Sequence, residues 1–251
     1  MEKLRLDQAL VERGLCASRA RARDAIKRGF AQVDGKPATK ASQMVGPDAA
    51  LEINDPASGY VSRAALKLID GLDHFGFDPA GRIAVDIGAS TGGFCQVLLE
   101  RGAQAVYGID VGHDQMHPSL LENPRLHSLA GVNARHLDRS HVPEPFTALV
   151  SDVSFISLRL ALPAALGMAA PDSFALLLVK PQFEVGKKGI GKGGIVRDAM
   201  EGERAAQAIA DWLASSDDPA CVGWQVRDLI PSPILGGDGN KEYLLGAVKT
   251  A

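Results

Sequence analysis

From residue 60 to the end of the chain, short apolar runs alternate with segments of helical periodicity. This alternation is typical of a parallel β-sheet covered by helices on both faces. The runs predicted as strands are 83–87, 105–109, 148–152, 174–179, 225–230 and 243–248, and helices are predicted over 93–101, 157–166 and 198–214. The C-terminal region is therefore expected to form an α/β domain.

Composition sets the class of protein. A chain of 251 residues with 46% hydrophobic residues can bury a full core and hold more than one domain. No apolar stretch reaches the roughly 20 residues that a membrane-spanning helix needs. The first seven residues include charged side chains where a signal peptide has its apolar region. Cys16, Cys95 and Cys221 are too widely separated for a zinc site or a disulfide framework. We expect a cytoplasmic protein without a metal site or a membrane partner.

Positive charge is concentrated near the N-terminus. Residues 1–54 contain ten Lys or Arg against seven Asp or Glu, whereas the rest of the chain carries a net charge of −6. Most of these cations lie between Arg13 and Lys40, where they would attract phosphates. A merely solvated helix surface is the alternative for a charge run of this kind.

The same region has the pattern of a small α+β domain. A first helix should end near Gly14, and Ser18 is a good N-cap for a second helix over 19–28. Short strands are expected at 30–33 and 50–53 around the turn at 34–35. We therefore predict a small basic domain over 1–54, a polar linker over 55–59 and a second domain over 60–251.

A glycine-rich turn follows the first strand of the second domain. Glycines permit a tight turn and a close approach of a ligand to the backbone, and Asp110 ends the next strand, where a carboxylate can accept both ribose hydroxyls of an adenosine. The turn lacks the second glycine of a dinucleotide loop, since Ser90 stands there, and it lacks a Walker lysine. S-adenosyl-L-methionine fits best, with the predicted cofactor-binding residues Asp86, Gly88, Ala89, Ser90, Thr91, Gly92, Gly93, Phe94, Asp110, Val111 and Asn133.

Two charged residues end later strands, where open α/β sheets bind their substrates. Asp152 ends one strand and Lys180 the next, although a solvated strand-terminal side chain is the alternative for either alone. The sequence Lys-Pro-Gln-Phe at 180–183 puts a cation where base N-methyltransferases have a polar acceptor. A lysine suits a hydroxyl nucleophile, because a neutral amine can take its proton. Lys67 could supply the neighbouring charge that favours the neutral form. Asp152 could orient the Lys180 amine, and Glu242 could fix Lys67 or the ribose.

Two resemblances join these features. The segment 3–54 resembles the small RNA-binding domain of ribosomal protein S-four, through Arg5-Leu6-Asp7, Ser18-Arg19 and Ile26-Lys27-Arg28-Gly29. The segments 60–68, 86–94, 151–158, 180–186, 192–198 and 236–244 together resemble the TlyA family, which is often labelled hemolysin and is related to the FtsJ-like enzymes. Two positions depart from the family pattern: Ala64-Ala65 replaces Gly-Gly, and His113 replaces the usual Tyr.

The resemblance implies a fold, an activity and a site. The fold is a Rossmann-like S-adenosylmethionine-dependent methyltransferase domain with a mostly parallel seven-stranded sheet, preceded by the small α+β domain. The activity is 2′-O-methylation of ribose, commonly of cytidine, in ribosomal RNA of the ribosomal subunits. The implied catalytic tetrad is Lys67, Asp152, Lys180 and Glu242. The residues expected to bind RNA are Arg5, Arg19, Arg21, Arg23, Lys27, Arg28, Arg63, Lys187, Lys188 and Lys192.

Two other hypotheses come from different functional classes. The chain could be a ribosome-binding assembly factor that keeps the cofactor fold without turnover. It could also be the membrane-active hemolysin of the family label, although the sequence offers neither a spanning segment nor an export signal.

Overall fold

A computed structural model describes residues 3–250 of the chain. The residues divide into two compact units, which meet in the sequence between Gly59 and Tyr60. Each unit has its own hydrophobic core.

The first unit is a small α+β fold. Leu6 and Leu10 lie one helical turn apart and pack with Ile26 of the second helix, which gives the unit its fully buried centre. The Ser18 side chain accepts a hydrogen bond from the backbone N–H of Arg21, as expected of an N-cap. The elements are β1 (Leu4–Arg5), α1 (Leu6–Glu12), α2 (Arg19–Lys27), β2 (Ala31–Val33), β3 (Lys36–Pro37), β4 (Met44–Val45) and β5 (Leu51–Ile53), with β1 paired to β4 and a three-stranded sheet in the order β3-β2-β5.

The segment 55–59, which we expect to be a linker, lies within this first unit. Asp55 accepts a 2.5 Å hydrogen bond from Arg28, and the carbonyl of the fully buried Ala57 accepts one of 2.6 Å from Arg21. These contacts hold the segment against α2, since both arginines belong to that helix or its C-terminus.

The second unit contains one seven-stranded sheet in the order β11-β12-β10-β9-β6-β7-β8. The five strands from β10 to β8 run parallel, whereas β12 is antiparallel to β10 and to β11. This confirms the predicted fold class. The elements are α3 (Ala65–Phe75), β6 (Ile83–Ile87), α4 (Gly93–Glu100), β7 (Ala105–Asp110), α5 (Pro118–Leu121), β8 (Leu126–Ala130), β9 (Ala148–Ser151), α6 (Leu158–Ala161), α7 (Pro163–Met168), β10 (Phe174–Val179), α8 (Ala199–Ala214), β11 (Trp224–Pro231) and β12 (Tyr243–Lys249).

The core of this unit lies on both faces of the sheet. Val85 and Ile87 pack into one hydrophobic cluster, and Ala84, next to Val85 in sequence, packs into the other. The same alternation separates Leu177 from Leu176, because successive strand residues face opposite sides. Helices therefore cover both faces, which leaves the carboxyl edge of the parallel strands for a site.

Two of the differences between the observed elements and the sequence predictions have a clear physical reason. The predicted helix over 157–166 is interrupted at Pro163, which lacks a backbone N–H and begins a new helix, α7. The edge strand β8 was not predicted, because its residues are at most half-buried and carry His and Ser among the apolar residues.

Candidate active site

The four residues of the implied tetrad meet at the carboxyl edge of the sheet. Asp152 directly follows β9 and Lys180 directly follows β10. Strand β12 is antiparallel and begins at this same edge, one residue after Glu242. Because Val179 pairs with Tyr243, Lys180 and Glu242 each lie one residue beyond that pair on neighbouring strands.

The first amine–carboxylate pair is Lys180 with Asp152. Lys180 Nζ lies 2.7 Å from Asp152 Oδ1, and the lysine side chain is only 11% exposed. Its hydrogen bond with good angles goes to Ser154 Oγ, also at 2.7 Å. Asp152 Oδ1 is buried, and the Lys180 amine contacts it without the angles of a hydrogen bond.

The second pair is Lys67 with Glu242. Lys67 lies in the first turn of α3, and its amine donates a short hydrogen bond to Glu242 Oε2. Both side chains are buried. Gly236 passes so close to the carboxylate that a Cβ at this position would collide with it. The carboxylate is therefore held from two sides.

The glycine-rich turn runs beside these pairs. Gly88 has φ of 86°, and a Cβ there would lie 2.9 Å from the carbonyl oxygen of Asp152. Two residues later, Ser90 also adopts the left-handed region, and its N–H donates to Asp110 Oδ2 at 2.8 Å. The other oxygen, Asp110 Oδ1, accepts from the N–H of Gly112 at 2.8 Å. The turn is thus held between the strand ends that carry Asp110 and Asp152.

Two cavities open around the turn. The larger has a volume of about 620 Å³, which lies in the range of small-molecule sites. Among the predicted cofactor residues, its lining includes Gly88, Ser90, Asp110, Val111 and Asn133. The smaller, of about 140 Å³, is lined by Ala89, Thr91, Gly93 and Phe94 together with Gly88, Ser90, Asp152, Ser154 and Lys180.

The two remaining predicted cofactor residues are placed differently. Gly92 has φ of 92° at the N-cap of α4, and a Cβ there would collide with Met116 and Leu120. Asp86 is fully buried in β6, where one carboxylate oxygen accepts a 3.1 Å hydrogen bond from the thiol of Cys95 and the other has no partner among residues 3–250.

Asp86 is held in an environment that disfavours its charge. Burial raises the pKa of Asp86 to about 7; the hydrogen bond from Cys95 opposes this rise, and the negative charges of Asp152 and Asp110 add to it. Above about pH 4 the unfolded chain has lost this proton, while the folded protein keeps it until about pH 7. The carboxyl should therefore lower the free energy of unfolding progressively as the pH rises between these values.

We expect Asp86→Asn to remove this part of the pH dependence, because an amide cannot titrate. Thermal unfolding from pH 4.5 to 7.5, followed by tryptophan fluorescence, measures it, since Trp212 and Trp224 both lie in the second unit. The exposed Asp211→Asn should keep the wild-type slope. A variant at Asp86 with an unchanged slope would contradict the assignment.

Three of the arginines expected to bind RNA contact the same acidic residue, which was not predicted from the sequence. Asp7 is fully buried, and its carboxylate accepts hydrogen bonds of 3.0 Å from each of Arg5, Arg19 and Arg23. The three arginine side chains remain 39%, 46% and 56% exposed. We call these four residues the Asp7 cluster.

The electrostatics of the Asp7 cluster follow from this geometry. Burial alone would raise the pKa of Asp7, but the hydrogen bonds from the three guanidinium groups outweigh it and hold the pKa well below its usual range. The carboxylate is therefore ionised in the folded protein at all ordinary pH values, and the cluster keeps a net positive charge.

The other predicted RNA-binding cations are distributed over both units. Arg21 and Arg28 bind within the first unit, to Ala57 and to Asp24 and Asp55, while Lys27 is exposed. In the second unit, Lys187, Lys188 and Lys192 are exposed in the loop after Lys180, and half-buried Arg63 lies 3.5 Å from the carbonyl of Leu235.

A metal cluster and a membrane-spanning helix are both absent from the described part of the chain. Residues 3–250 contain no cluster of three or more His, Cys, Asp or Glu side chains arranged to hold a metal ion. Over the same residues, no helix has the length and apolar character needed to cross a membrane.

Sequence reasoning missed Ser154 and the exposed Phe155 beside it, although both lie within three residues of the predicted Asp152. Phe155 is 90% exposed, adopts a left-handed backbone with φ of 66°, and lines the larger cavity. A Ser-Phe pair in the loop after β9 was the available signal, because open α/β sheets bind their ligands at the carboxyl ends of the strands.

Comparisons with known proteins agree with this geometry. Residues 60–249 match the FtsJ-like methyltransferase family model, and residues 4–51 match the S4 domain. A 16S/23S rRNA (cytidine-2′-O)-methyltransferase TlyA of Mycobacterium tuberculosis is 41% identical over 97% of this chain and 89% of its own. Hemolysin A of Brachyspira hyodysenteriae is 36% identical over 96% of this chain and 98% of its own.

A solved structure supports the same relationship. A hemolysin-labelled protein from Streptococcus thermophilus superposes with a TM-score of 0.75 at 34% identity, covering 100% of this chain and 90% of that one. Relatives named as hemolysins and as methyltransferases therefore share one architecture. The chain belongs to the TlyA family of FtsJ-like methyltransferases, with an S4 domain preceding the methyltransferase domain.

Proposed function

We propose that this protein methylates a ribose 2′-hydroxyl in ribosomal RNA, with S-adenosyl-L-methionine as methyl donor. The proposed target nucleotide is a cytidine. The observation that carries the proposal is the meeting of two amine–carboxylate pairs, Lys180 with Asp152 and Lys67 with Glu242, at the sheet edge beside the glycine turn. The relative named as a cytidine-2′-O-methyltransferase supports the choice of nucleotide. A ribosomal substrate would place the reaction in the cytoplasm.

The residues present fit this cofactor. Asp110 uses one lone pair of each carboxylate oxygen for the backbone, which leaves the others to accept the two ribose hydroxyls of an adenosine. Gly88, which has no room for a side chain, allows the ligand to approach the backbone. Asp110, Asn133 and the turn would therefore hold the cofactor.

Methyl transfer to a hydroxyl needs a base that takes the hydroxyl proton. When bound, the cofactor supplies an electrophilic methyl group on a sulfonium sulfur, which becomes a neutral thioether after transfer. Lys180, in its neutral form, takes the proton of the 2′-hydroxyl at Nζ. Asp152 holds that amine in place, and the buried Lys67–Glu242 pair fixes the neighbouring strand end. The proton is thus moved by the protein's own side chains.

The first unit would bind the RNA substrate. The three exposed arginines of the Asp7 cluster and exposed Lys27 present positive charge that phosphates would neutralise. In the second unit, Lys187, Lys188 and Lys192 would contact the backbone near the reacting nucleotide. The S4 domain match supports this division of roles.

Gly88→Ala should weaken S-adenosylmethionine binding by at least about tenfold, because a Cβ collides with the Asp152 backbone and displaces the turn. Gly81→Ala is the matched control. Gly81 has the same left-handed backbone, with φ of 70°, but faces open space, so it should cost stability and leave affinity unchanged. Titration calorimetry with both variants measures this, and equal affinities would contradict the proposed turn.

Incubation with a labelled methyl donor and isolated ribosomal subunits tests the function itself. Alkali-resistant linkages in the RNA, mapped to position, identify 2′-O-methylated nucleotides. We expect labelled cytidine in the RNA of at least one subunit. The proposal fails if no assembly state of either subunit yields a 2′-O-methyl product.

A further inference from the structure

Ser154 is the hydrogen-bond partner of Lys180. The lysine amine donates to Ser154 Oγ at 2.7 Å with good angles, whereas its contact with Asp152 Oδ1, although equally short, lacks hydrogen-bond geometry. An ion pair depends little on direction, but a hydrogen bond weakens steeply when it bends. Ser154 therefore sets the orientation of the amine more strictly than the carboxylate does.

The location of Ser154 gives this contact a function. Ser154 and Asp152 line both cavities, whereas Lys180 lines only the smaller one. The backbone turns sharply at the next residue, Phe155, whose φ of 66° is unusual for a bulky side chain. This turn keeps Ser154 at the boundary between the cofactor-sized cavity and the lysine.

We infer that Ser154 is a positioning residue that aims Lys180 at the substrate hydroxyl; the inference rests on the methyl transfer proposed above. A neutral amine has two N–H bonds and one lone pair. When one N–H is donated to Ser154 and the other lies nearest the Asp152 carboxylate, the lone pair takes the remaining direction. That lone pair accepts the hydroxyl proton, which leaves oxygen and becomes the third N–H of the ammonium group.

The variants Ser154→Ala and Ser154→Thr separate this role from a structural one. We expect Ser154→Ala to lower the single-turnover rate of methyl transfer by about tenfold, with the affinity for S-adenosylmethionine unchanged, because one orienting hydrogen bond is lost. Ser154→Thr keeps a hydroxyl and should restore most of the rate. Ser140→Ala is the control, since the Ser140 hydroxyl donates to Asp138 and stands outside the tetrad.

A second readout needs neither cofactor nor RNA. Trace acetylation of the cofactor-free protein, with the Lys180 peptide quantified by mass spectrometry, reports how tightly the amine is held. Acetylation of Lys180 should be about three- to tenfold faster in Ser154→Ala and unchanged in Ser154→Thr, the factor expected of one hydrogen bond.

The outcomes are distinguishable. Equal acetylation rates in Ser154→Ala and wild type, a threonine variant as slow as the alanine variant, or a rate loss explained by weaker cofactor binding would each overturn the role of Ser154. Absence of any 2′-O-methyl product from the wild type would instead overturn the proposed function, while the acetylation rates would still report on the contact.

Discussion

Lys180→Ala is expected to lower the rate of 2′-O-methylation by about 10³-fold, within the range of a lost general base. The side chain is only 11% exposed and its amine pairs with Asp152, so the alanine variant removes the amine from this place. Methyl incorporation into ribosomal subunits under single-turnover conditions measures the loss. Cofactor affinity, measured by calorimetry, should change by less than about threefold, because the variant loses an interaction that acts in the transition state.

Two further variants test whether the loss of rate comes from the loss of a base. Lys180→Arg keeps the positive charge but cannot lose its proton, so it should be as inactive as the alanine variant. The exposed Lys241, at the same edge of the sheet, serves as the control, and Lys241→Ala should keep the wild-type rate. An active arginine variant would show that Lys180 supplies charge and that another group takes the proton.

The sequence predicts those parts of the site that depend on a single strand and the residues directly after it. The apolar run 83–87 and the glycines after it predict both the strand and the turn, because a tight left-handed turn requires glycine at Gly88 whatever the rest of the chain does. The positions of Asp152 and Lys180 follow from the same logic, since both come directly after buried strands. Local pattern is sufficient at these sites.

Contacts between distant segments could not be predicted in this way. Lys67 and Glu242 lie 175 positions apart, and only the antiparallel placement of β12 against β10 brings them to the same edge. A run of apolar residues predicts that β12 is a strand but does not determine its direction. The resemblance to the TlyA family supplied the grouping of all four residues in one site, which the residues alone left open.

The basic N-terminal run shows the same limit at the level of side chains. Counting charges predicts a cationic surface but treats every arginine as equally available. Three of the arginines share one buried acceptor, Asp7, because the first turn of α1 places this side chain towards α2. The burial of an acid among arginines depends on the packing of two helices and is not visible in the charge count.

Asp7→Asn should therefore destabilise the first unit by on the order of 2 kcal/mol at pH 7, less than for a fully buried pair because the arginines are half-exposed. The pKa of Asp7 is lowered on folding, so its stabilisation is complete above about pH 4 and is lost as the pH falls further. Hydrogen exchange of peptides from residues 3–59, measured on the whole protein, reports the opening free energy of this unit. The difference between wild type and variant should shrink below about pH 4.

The same variant tests whether Asp7 orients the arginines for RNA. Asp7→Asn adds one positive charge to a basic surface, so bulk electrostatics alone predicts tighter RNA binding. If the carboxylate holds Arg5, Arg19 and Arg23 in a binding geometry, affinity should instead fall several-fold, because three long side chains must be ordered on binding. The exposed Asp48→Asn adds the same charge within the same unit and should bind RNA at least as tightly as wild type. Equal gains in affinity for the two variants would leave Asp7 with a structural role alone.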